Sequence, residues 1–574
     1  MAMNSEDIPR FRFLSLLIVL FVLVIVARLF YVQIIHGSDY SQLADRQYAT
    51  PLGNIFDRGA IFFKEKNGEL ASAATLSSGF AISINPSKID DTEKIYESIN
   101  KITPIDHSDF VYKAGKKEDP YEEITHRIGK DEADKVDALK IPGLKIQKEK
   151  WRFYPGNETA SRIIGFVGYN DDNKFQGRYG VERYYEDILS RENNSIYVNF
   201  FAEVFSDLGK GIFNNNAHEG DIVLTIEPEV ERSLHQELKK IMNDYDSDLA
   251  GGIIINPKTG AIYAMEVLPG FDPNNIRAIK SNSLLNNPLV ENVYEMGSII
   301  KPLTLAAGID AGAVNAKTTY TDNGFVVLNN LKINNYDGKG RGTITMQEAL
   351  NQSLNTGMVF VMQKLGRDRF RDYMLSYGFG KETGIDLPGE TSGLVKNLQS
   401  TRDVEYATAS FGQGIAMTPI ETVRALSVLG NGGYLIEPHL IDTIDYKSGL
   451  SRKPSYNNTE AKQVITRKTS EEITRMLVEV VDKALLGGVV KIPEYSVAAK
   501  TGTAQISEEN GKGYSSDRFL HSFFGYFPAY DPQFLIFLYT VNPKGVSFAS
   551  HTLTYPFSRL TKFLLNYYEI PPDR

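Results

Sequence analysis

Ser298 and Lys301 stand three residues apart in YEMGSIIKP (294–302), with Pro302 directly after them. A serine hydroxyl is a poor nucleophile until a base takes its proton. On a helix, positions i and i+3 share a face, so the Lys301 amine is placed to serve Ser298. At a helix N-terminus, unpaired N–H groups and the helix dipole favour negative charge on the attacking oxygen. Proline is tolerated in that first turn. Lysine acts as a base only when neutral, which calls for burial and a second cation nearby.

Two later motifs supply what such a pair lacks. Lys500-Thr501-Gly502-Thr503, in AAKTGTAQI, offers the second cation. Its Thr501–Thr503 segment reads as an edge strand able to pair with an extended peptide. Ser353-Leu354-Asn355, in NQSLNTG, offers a hydroxyl to relay a proton to a leaving amine and an amide to hold a substrate amide. An oxyanion needs backbone N–H donors, most simply those of Ser298 and Thr503. The predicted catalytic set is therefore Ser298, Lys301, Ser353 and Lys500, with Asn355, Thr501, Gly502 and Thr503 binding substrate.

Each motif has decoys. Ser-x-x-Lys recurs at Ser98–Lys101 and Lys-Thr-Gly at Lys258–Gly260. The Lys258 copy falls at a hairpin turn, where turn chemistry explains it. The Ser98 copy has no partner motifs in order behind it. The Lys500 copy sits in an apolar strand, where a glycine between threonines lets another backbone or a ligand approach closely.

The elements that must position these residues follow from hydrophobic patterning. At 574 residues the chain is long enough for several units with their own cores. Its net charge of −9, with no basic stripe, argues against nucleic acid. With no cysteine, thiolate catalysis and Cys-ligated zinc are excluded, and the histidines show no helical zinc spacing. No metal or cofactor is called for. Near the N-terminus, FLSLLIVLFVLVIVA (13–27) continues as LFYVQII after Arg28, long enough to span a bilayer. Arg10 and Arg12 before it predict a cytoplasmic tail (1–12), a single retained anchor (13–35) and an extracytoplasmic remainder. Residues 111–150 carry dense alternating charge and read as a solvated helical surface. GDIVLTIEPEVERSLHQELKKIM predicts a strand at 222–226, then a helix with Val230, Leu234, Leu238 and Ile241 inward. A hairpin around NPKTG, a helix-rich middle and late strands at SVAAKTGTAQI, HSFFGYFPAY and FLIFLYTV predict one antiparallel sheet closed by both ends of the domain.

Together, YEMGSIIKP, NQSLNTG and AAKTGTAQI resemble the motif set of the penicillin-interacting serine enzymes. The middle motif differs in having Leu354 at its centre. RFYPGNETASRIIGFVG, GRYGVERYYEDIL, INPKTGAIYAM, PGFDPN and ASFGQGIAMTPIE extend the resemblance, over about residues 10–545, to class B penicillin-binding proteins of the cell-division (FtsI) type. RGAIFFKEKNGELA departs from the usual pedestal motif, with Phe63 where Asp is expected, and Met296 stands where Pro is common.

The resemblance implies an α+β fold, with an elongated α/β pedestal at 36–225 and a serine β-lactamase-like transpeptidase domain at 226–574. It implies a peptidoglycan D,D-transpeptidase that cross-links stem pentapeptides through an acyl-Ser298 intermediate and is covalently blocked by β-lactams. It places the chain as a single-pass protein of the bacterial cytoplasmic membrane with a periplasmic catalytic domain. Partners would be a SEDS-type membrane glycosyltransferase and divisome proteins. The alternatives are an elongation-type transpeptidase, a β-lactamase, and a non-catalytic β-lactam sensor or scaffold of the same fold.

Overall fold

The computed structural model describes Phe21 and residues 56–172, 174–191, 219–279, 281–456, 462–508 and 513–574. The expected anchor at 13–35 lies outside these, apart from Phe21. Among the described residues no helix is long and apolar enough to cross a membrane. The chain divides into two compact units. The smaller holds Ser77–Trp151, and the larger holds Arg58–Leu76, Arg152–Glu192 and Tyr197–Arg574.

In the smaller unit, helices Thr92–Asn100 and His107–Gly115 start on aspartate caps. Asp91 Oδ1 accepts Lys94 N–H at 3.1 Å and Asp106 Oδ1 accepts Asp109 N–H at 2.7 Å. The charge-rich stretch 111–150 differs from the helical expectation, because Glu122–Ile128 and Leu144–Phe153 are strands around the helix Lys130–Ala138. Charge density hid the period of two. Ile124 and Ile128 turn into a core with Ile82, Ile99, Phe110 and Val136, while Glu123 and Arg127, in the opposite phase, stay outside it. His126, in phase with the isoleucines, is exposed, so the alternation is broken where Arg127 takes a positive φ.

The larger unit follows its hydrophobic pattern closely. α1 (Pro228–Tyr245) opens on Glu227, whose Oε2 accepts Val230 N–H at 2.7 Å, with Pro228 in the first turn. Val230, Leu234, Leu238 and Ile241 form its buried stripe, as their spacing predicts. β1 (Leu249–Ile255) and β2 (Ile262–Leu268) make the NPKTG hairpin. There the Asn256 side chain accepts both Lys258 N–H and Thr259 N–H, so this Lys-Thr-Gly is spent on a turn.

After α2 (Lys301–Asp310) come a small hairpin, β3 (Phe325–Leu328) with β4 (Leu331–Asn334), and then α3 (Asn355–Leu365). β5 (Ala498–Ser507), β6 (Tyr514–Phe527) and β7 (Phe534–Val541) then join the first hairpin. They form one antiparallel sheet in the spatial order β5-β6-β7-β1-β2. The uninterrupted apolar run of β7 has a direct cause. Leu535, Phe537 and Tyr539 enter the core that contains Met296 and Ile299, whereas Ile536 and Leu538 enter the one formed by α1 and α4 (Thr554–Tyr567). Both faces are dry, so neither can be polar. β5 is the edge strand on the side of Ser298.

A second sheet in this unit pairs Ile61–Lys64 with the strand that opens at Leu70 and, in parallel, with Gly220–Leu224. Beside it lies an ion cluster whose core, Arg58, Arg152 and Glu182, is buried. The Glu182 carboxylate accepts Arg58 Nε and Arg152 Nε, each at 2.6 Å, and Arg58 Nη2 also meets Glu186 Oε2 at 2.6 Å. Burial alone would push the Glu182 carboxyl up, but Arg152 and Arg58 outweigh it and hold the group below the usual carboxylate range.

Candidate active site

Ser298 occupies the second position of a tight 3₁₀ turn, Gly297–Ile300, that runs straight into α2. Its neighbours are immobilised: Met296, Ile299 and Ile300 are buried in the core, and Ser298 alone is partly open. Gly297 is required twice over. Its φ is +64°, and a Cβ there would lie 2.7 Å from the Thr503 carbonyl oxygen. Gly502 completes the same seam from the strand side, where a Cβ would meet Ser522 Oγ at 2.3 Å and Met296 O at 2.7 Å. Ser522 Oγ donates to Met296 O at 2.8 Å, stitching the sheet to the turn. The glycine of Lys-Thr-Gly therefore admits backbone, as its sequence context implies.

Ser353 lies between a short helix, Met346–Asn351, and α3. It has φ +55°, a left-handed conformation that a non-glycine residue adopts at a cost. That conformation brings its hydroxyl between two amines. Lys500 Nζ donates to Ser353 Oγ at 3.0 Å and Lys301 Nζ approaches the same oxygen at 3.2 Å while donating to the Ser353 carbonyl. Lys500 Nζ also donates to Thr501 O at 3.0 Å. The Lys301 amine is thus anchored on Ser353, and among the described residues no hydrogen bond links it to Ser298. Leu354 is wholly buried as the residue that caps α3, so the departure from the family motif falls in the core, while Ser353 and Asn355 on either side of it line the cleft. Asn355 Nδ2 donates to Asn334 O at 2.9 Å.

Burial drives both lysines towards the neutral amine. The Lys301 ammonium is pushed well below the usual lysine range, first by burial and then by the Lys500 charge. Lys500 is brought down by burial to about 7. A neutral Lys301 has a lone pair to receive a proton, and the shared Ser353 hydroxyl offers an onward route for it.

The same shifts carry a stability signature. Between about pH 7 and 10.5 the unfolded chain holds a proton on Lys500 that the folded chain has lost, so stability rises with pH across that window. Lys500→Met removes this penalty, on the order of 4 kcal/mol at neutral pH. Thermal melts from pH 7 to 9 are expected to climb for the parent and to climb less steeply for the variant, which keeps the slope due to buried Lys301. Equal slopes would rule the burial argument out.

Ser298, Lys301, Ser353, Asn355, Lys500, Thr501 and Thr503 all line one cleft of about 1230 Å³, and Gly502 lies beneath its floor. The sequence reading missed the walls. One is the β3–β4 hairpin and the turn after it, with Lys332, Asn334 and Tyr336; the other holds Phe548. Tyr336 and Phe548 meet edge to face with ring centroids 6.0 Å apart. Ala549 N–H donates to Thr503 Oγ1 at 3.1 Å, tying the second wall to the edge strand. The Asn329-Asn330 turn, with both residues at positive φ, was the legible sign of that first hairpin.

Comparison with known proteins agrees with this geometry. Residues 250–559 match the penicillin binding protein transpeptidase domain and residues 54–203 the penicillin-binding protein dimerisation domain. The chain is 31% identical to stage V sporulation protein D of Bacillus subtilis, over 93% of this chain and 82% of that one. It is 26% identical to the peptidoglycan D,D-transpeptidase FtsI of Escherichia coli, over 78% of this chain and 73% of that one. Penicillin binding protein 2X of Streptococcus thermophilus shares the fold with a TM-score of 0.71 at 21% identity, covering 89% of this chain and 79% of that one. Penicillin binding protein 3 of Mycobacterium tuberculosis, in complex with aztreonam, gives 0.68 at 20% identity, covering 90% and 98%. With a transpeptidase-family match over more than half its length and a relative above 30% identity across nearly all of it, the chain belongs to the class B penicillin-binding proteins.

Proposed function

We propose that this chain is a peptidoglycan D,D-transpeptidase working through an acyl-enzyme on Ser298. The observation that carries the reading is the hydrogen-bonded chain Lys301–Ser353–Lys500 in the cleft that Ser298 enters. Neutral Lys301 takes the Ser298 proton as Oγ attacks the carbonyl of the penultimate D-alanine in a stem pentapeptide. The oxygen of the tetrahedral intermediate turns to the N–H groups of Ser298 and Thr503. Through Ser353 the proton reaches the amine of the departing D-alanine, and the carbon–nitrogen bond breaks. An amine from a neighbouring stem then attacks the ester carbonyl and gives up a proton along the same route in reverse, which reaches Ser298 Oγ as the acyl–oxygen bond breaks, forming the cross-link and freeing the serine. Asn355 holds the substrate amide, and the edge strand at 501–503 pairs with the extended peptide. A β-lactam presents a strained amide to the same hydroxyl, and its leaving nitrogen stays tethered.

On this reading residues 226–574 are the catalytic domain and 36–225 the pedestal, held by an anchor at 13–35 outside the cytoplasmic membrane. A role in septal wall synthesis is supported by the FtsI-type landmarks of the sequence and by relatives that bear that name. A SEDS-type glycosyltransferase and divisome proteins are its proposed partners.

Mass spectrometry after exposure to penicillin tests the chemistry. The peptide carrying Ser298 is expected to gain the mass of the intact drug and to keep it for many minutes. With a stem pentapeptide and an amine acceptor, D-alanine is released as the acceptor is incorporated. Rapid discharge as penicilloate would instead make the protein a β-lactamase, and an adduct on another residue would move the nucleophile.

A further inference from the structure

One buried carboxylate sits behind the middle motif. Asp322, 2% exposed, closes a short strand, Thr319–Asp322. Its Oδ1 accepts Thr356 Oγ1 at 2.8 Å, Gly324 N–H at 3.0 Å and Asn335 Nδ2 at 3.0 Å. Its Oδ2 accepts Arg341 N–H at 3.0 Å and Asn335 Nδ2 at 3.1 Å. Asn335 returns the favour, with Oδ1 accepting Thr356 N–H at 3.2 Å and lying 3.1 Å from Thr356 Oγ1, whose proton goes to Asp322. Tyr320 OH lies 3.1 Å from Thr356 Oγ1 and completes the cluster.

The positions of these partners in the chain matter most. Thr356 follows Asn355 on α3, and Asn335 follows Asn334 on the hairpin wall. Asn355 Nδ2 donates to Asn334 O, so one carboxylate grips the residue after each end of that contact. With one N–H of its amide held by the wall, Asn355 is oriented so that its oxygen can accept from a substrate N–H. A carboxylate is suited to the task because every protein group aimed at it is a donor, and it can accept them all.

We propose that Asp322 is a positioning residue for the acylation reaction. Through Thr356 and Asn335 it sets the distance between the hairpin wall and α3, and so fixes the angle at which Asn355 meets the substrate amide. This rests on the transpeptidase reading above. Asp322→Asn keeps the shape but turns an NH₂ towards donors whichever way the amide is placed, leaving at least one buried donor without an acceptor.

Acylation by a fluorescent penicillin, followed to saturation well below the melting temperature, is the test. The expected result for Asp322→Asn is a fall of tenfold or more in the second-order constant, chiefly through weaker saturation, with the limiting rate changed less. Thr356→Val should reproduce this split and Thr356→Ser, which keeps the hydroxyl, should restore the parent values. Those two variants also decide the matter if Asp322→Asn does not fold. A lower melting temperature with parental acylation constants, or Thr356→Val behaving like Thr356→Ser, would overturn the proposal. A parent that fails to label at Ser298 would bring down the transpeptidase reading as well. A labelled parent beside an equally labelled Asp322→Asn sinks the positioning role alone.

Discussion

Ser298→Ala is expected to abolish covalent penicillin labelling, and Lys301→Met to slow it by roughly 10²–10⁴-fold while the protein stays folded. The two losses differ in kind. Without the hydroxyl there is no atom to acylate. Without the amine the hydroxyl remains, but its proton has no acceptor in a cleft where the other amine, Lys500, is committed to Ser353 and to the Thr501 carbonyl. Methionine fills the buried Lys301 site with similar volume and removes a desolvated amine, so Lys301→Met should melt no lower than the parent. Rates measured against pH separate the roles further. Acylation by the parent should rise as pH increases through the depressed range of Lys301, and Lys301→Met should lose that acid limb. Labelling of Lys301→Met at parental rates would remove the base from this mechanism.

The largest effect on stability is expected at Glu182. Glu182→Ala leaves Arg58 and Arg152 buried beside each other with their shared anion gone, a change that costs about 3–5 kcal/mol when one partner of a buried pair is removed. Arg152 Nη2 is already buried without a hydrogen-bond partner among the described residues. Glu186 stays on the Arg58 side only. A melt followed by fluorescence should therefore shift down by several degrees or show aggregation, while penicillin labelling in the cold persists. A melting point unchanged from the parent would show that the arginines find water or other acceptors.

That cluster also marks where sequence reading stopped. Arg58, Arg152 and Glu182 come from three separate landmark stretches, RGAIFF, RFYPGN and GVERYY, each visible as a motif with no stated reason to converge. Pairing across 30 to 124 positions is a tertiary fact that no local period encodes. By contrast the stripe of α1 and the two-faced burial of β7 were legible, because a helix period of 3.6 and a dry strand write themselves directly into residue types. The site was legible for another reason. Its groups are few, chemically exacting and ordered along the chain. Ser353 at positive φ and the Asp322 cluster were not, since neither a strained backbone angle nor a shared acceptor leaves a mark in spacing. The strands inside 111–150 were masked because charge outnumbered the few isoleucines that define their inner face.

The seam between the nucleophile turn and the edge strand has a consequence for drug escape. Gly297 and Gly502 each lack room for even a methyl group, with the nearest atom 2.7 and 2.3 Å from where it would go. Variation there cannot tune affinity for an inhibitor without dislodging the reactive hydroxyl itself. Freedom to discriminate a drug from a natural substrate lies instead with open side chains of the cleft walls, such as the half-exposed rings of Tyr336 and Phe548.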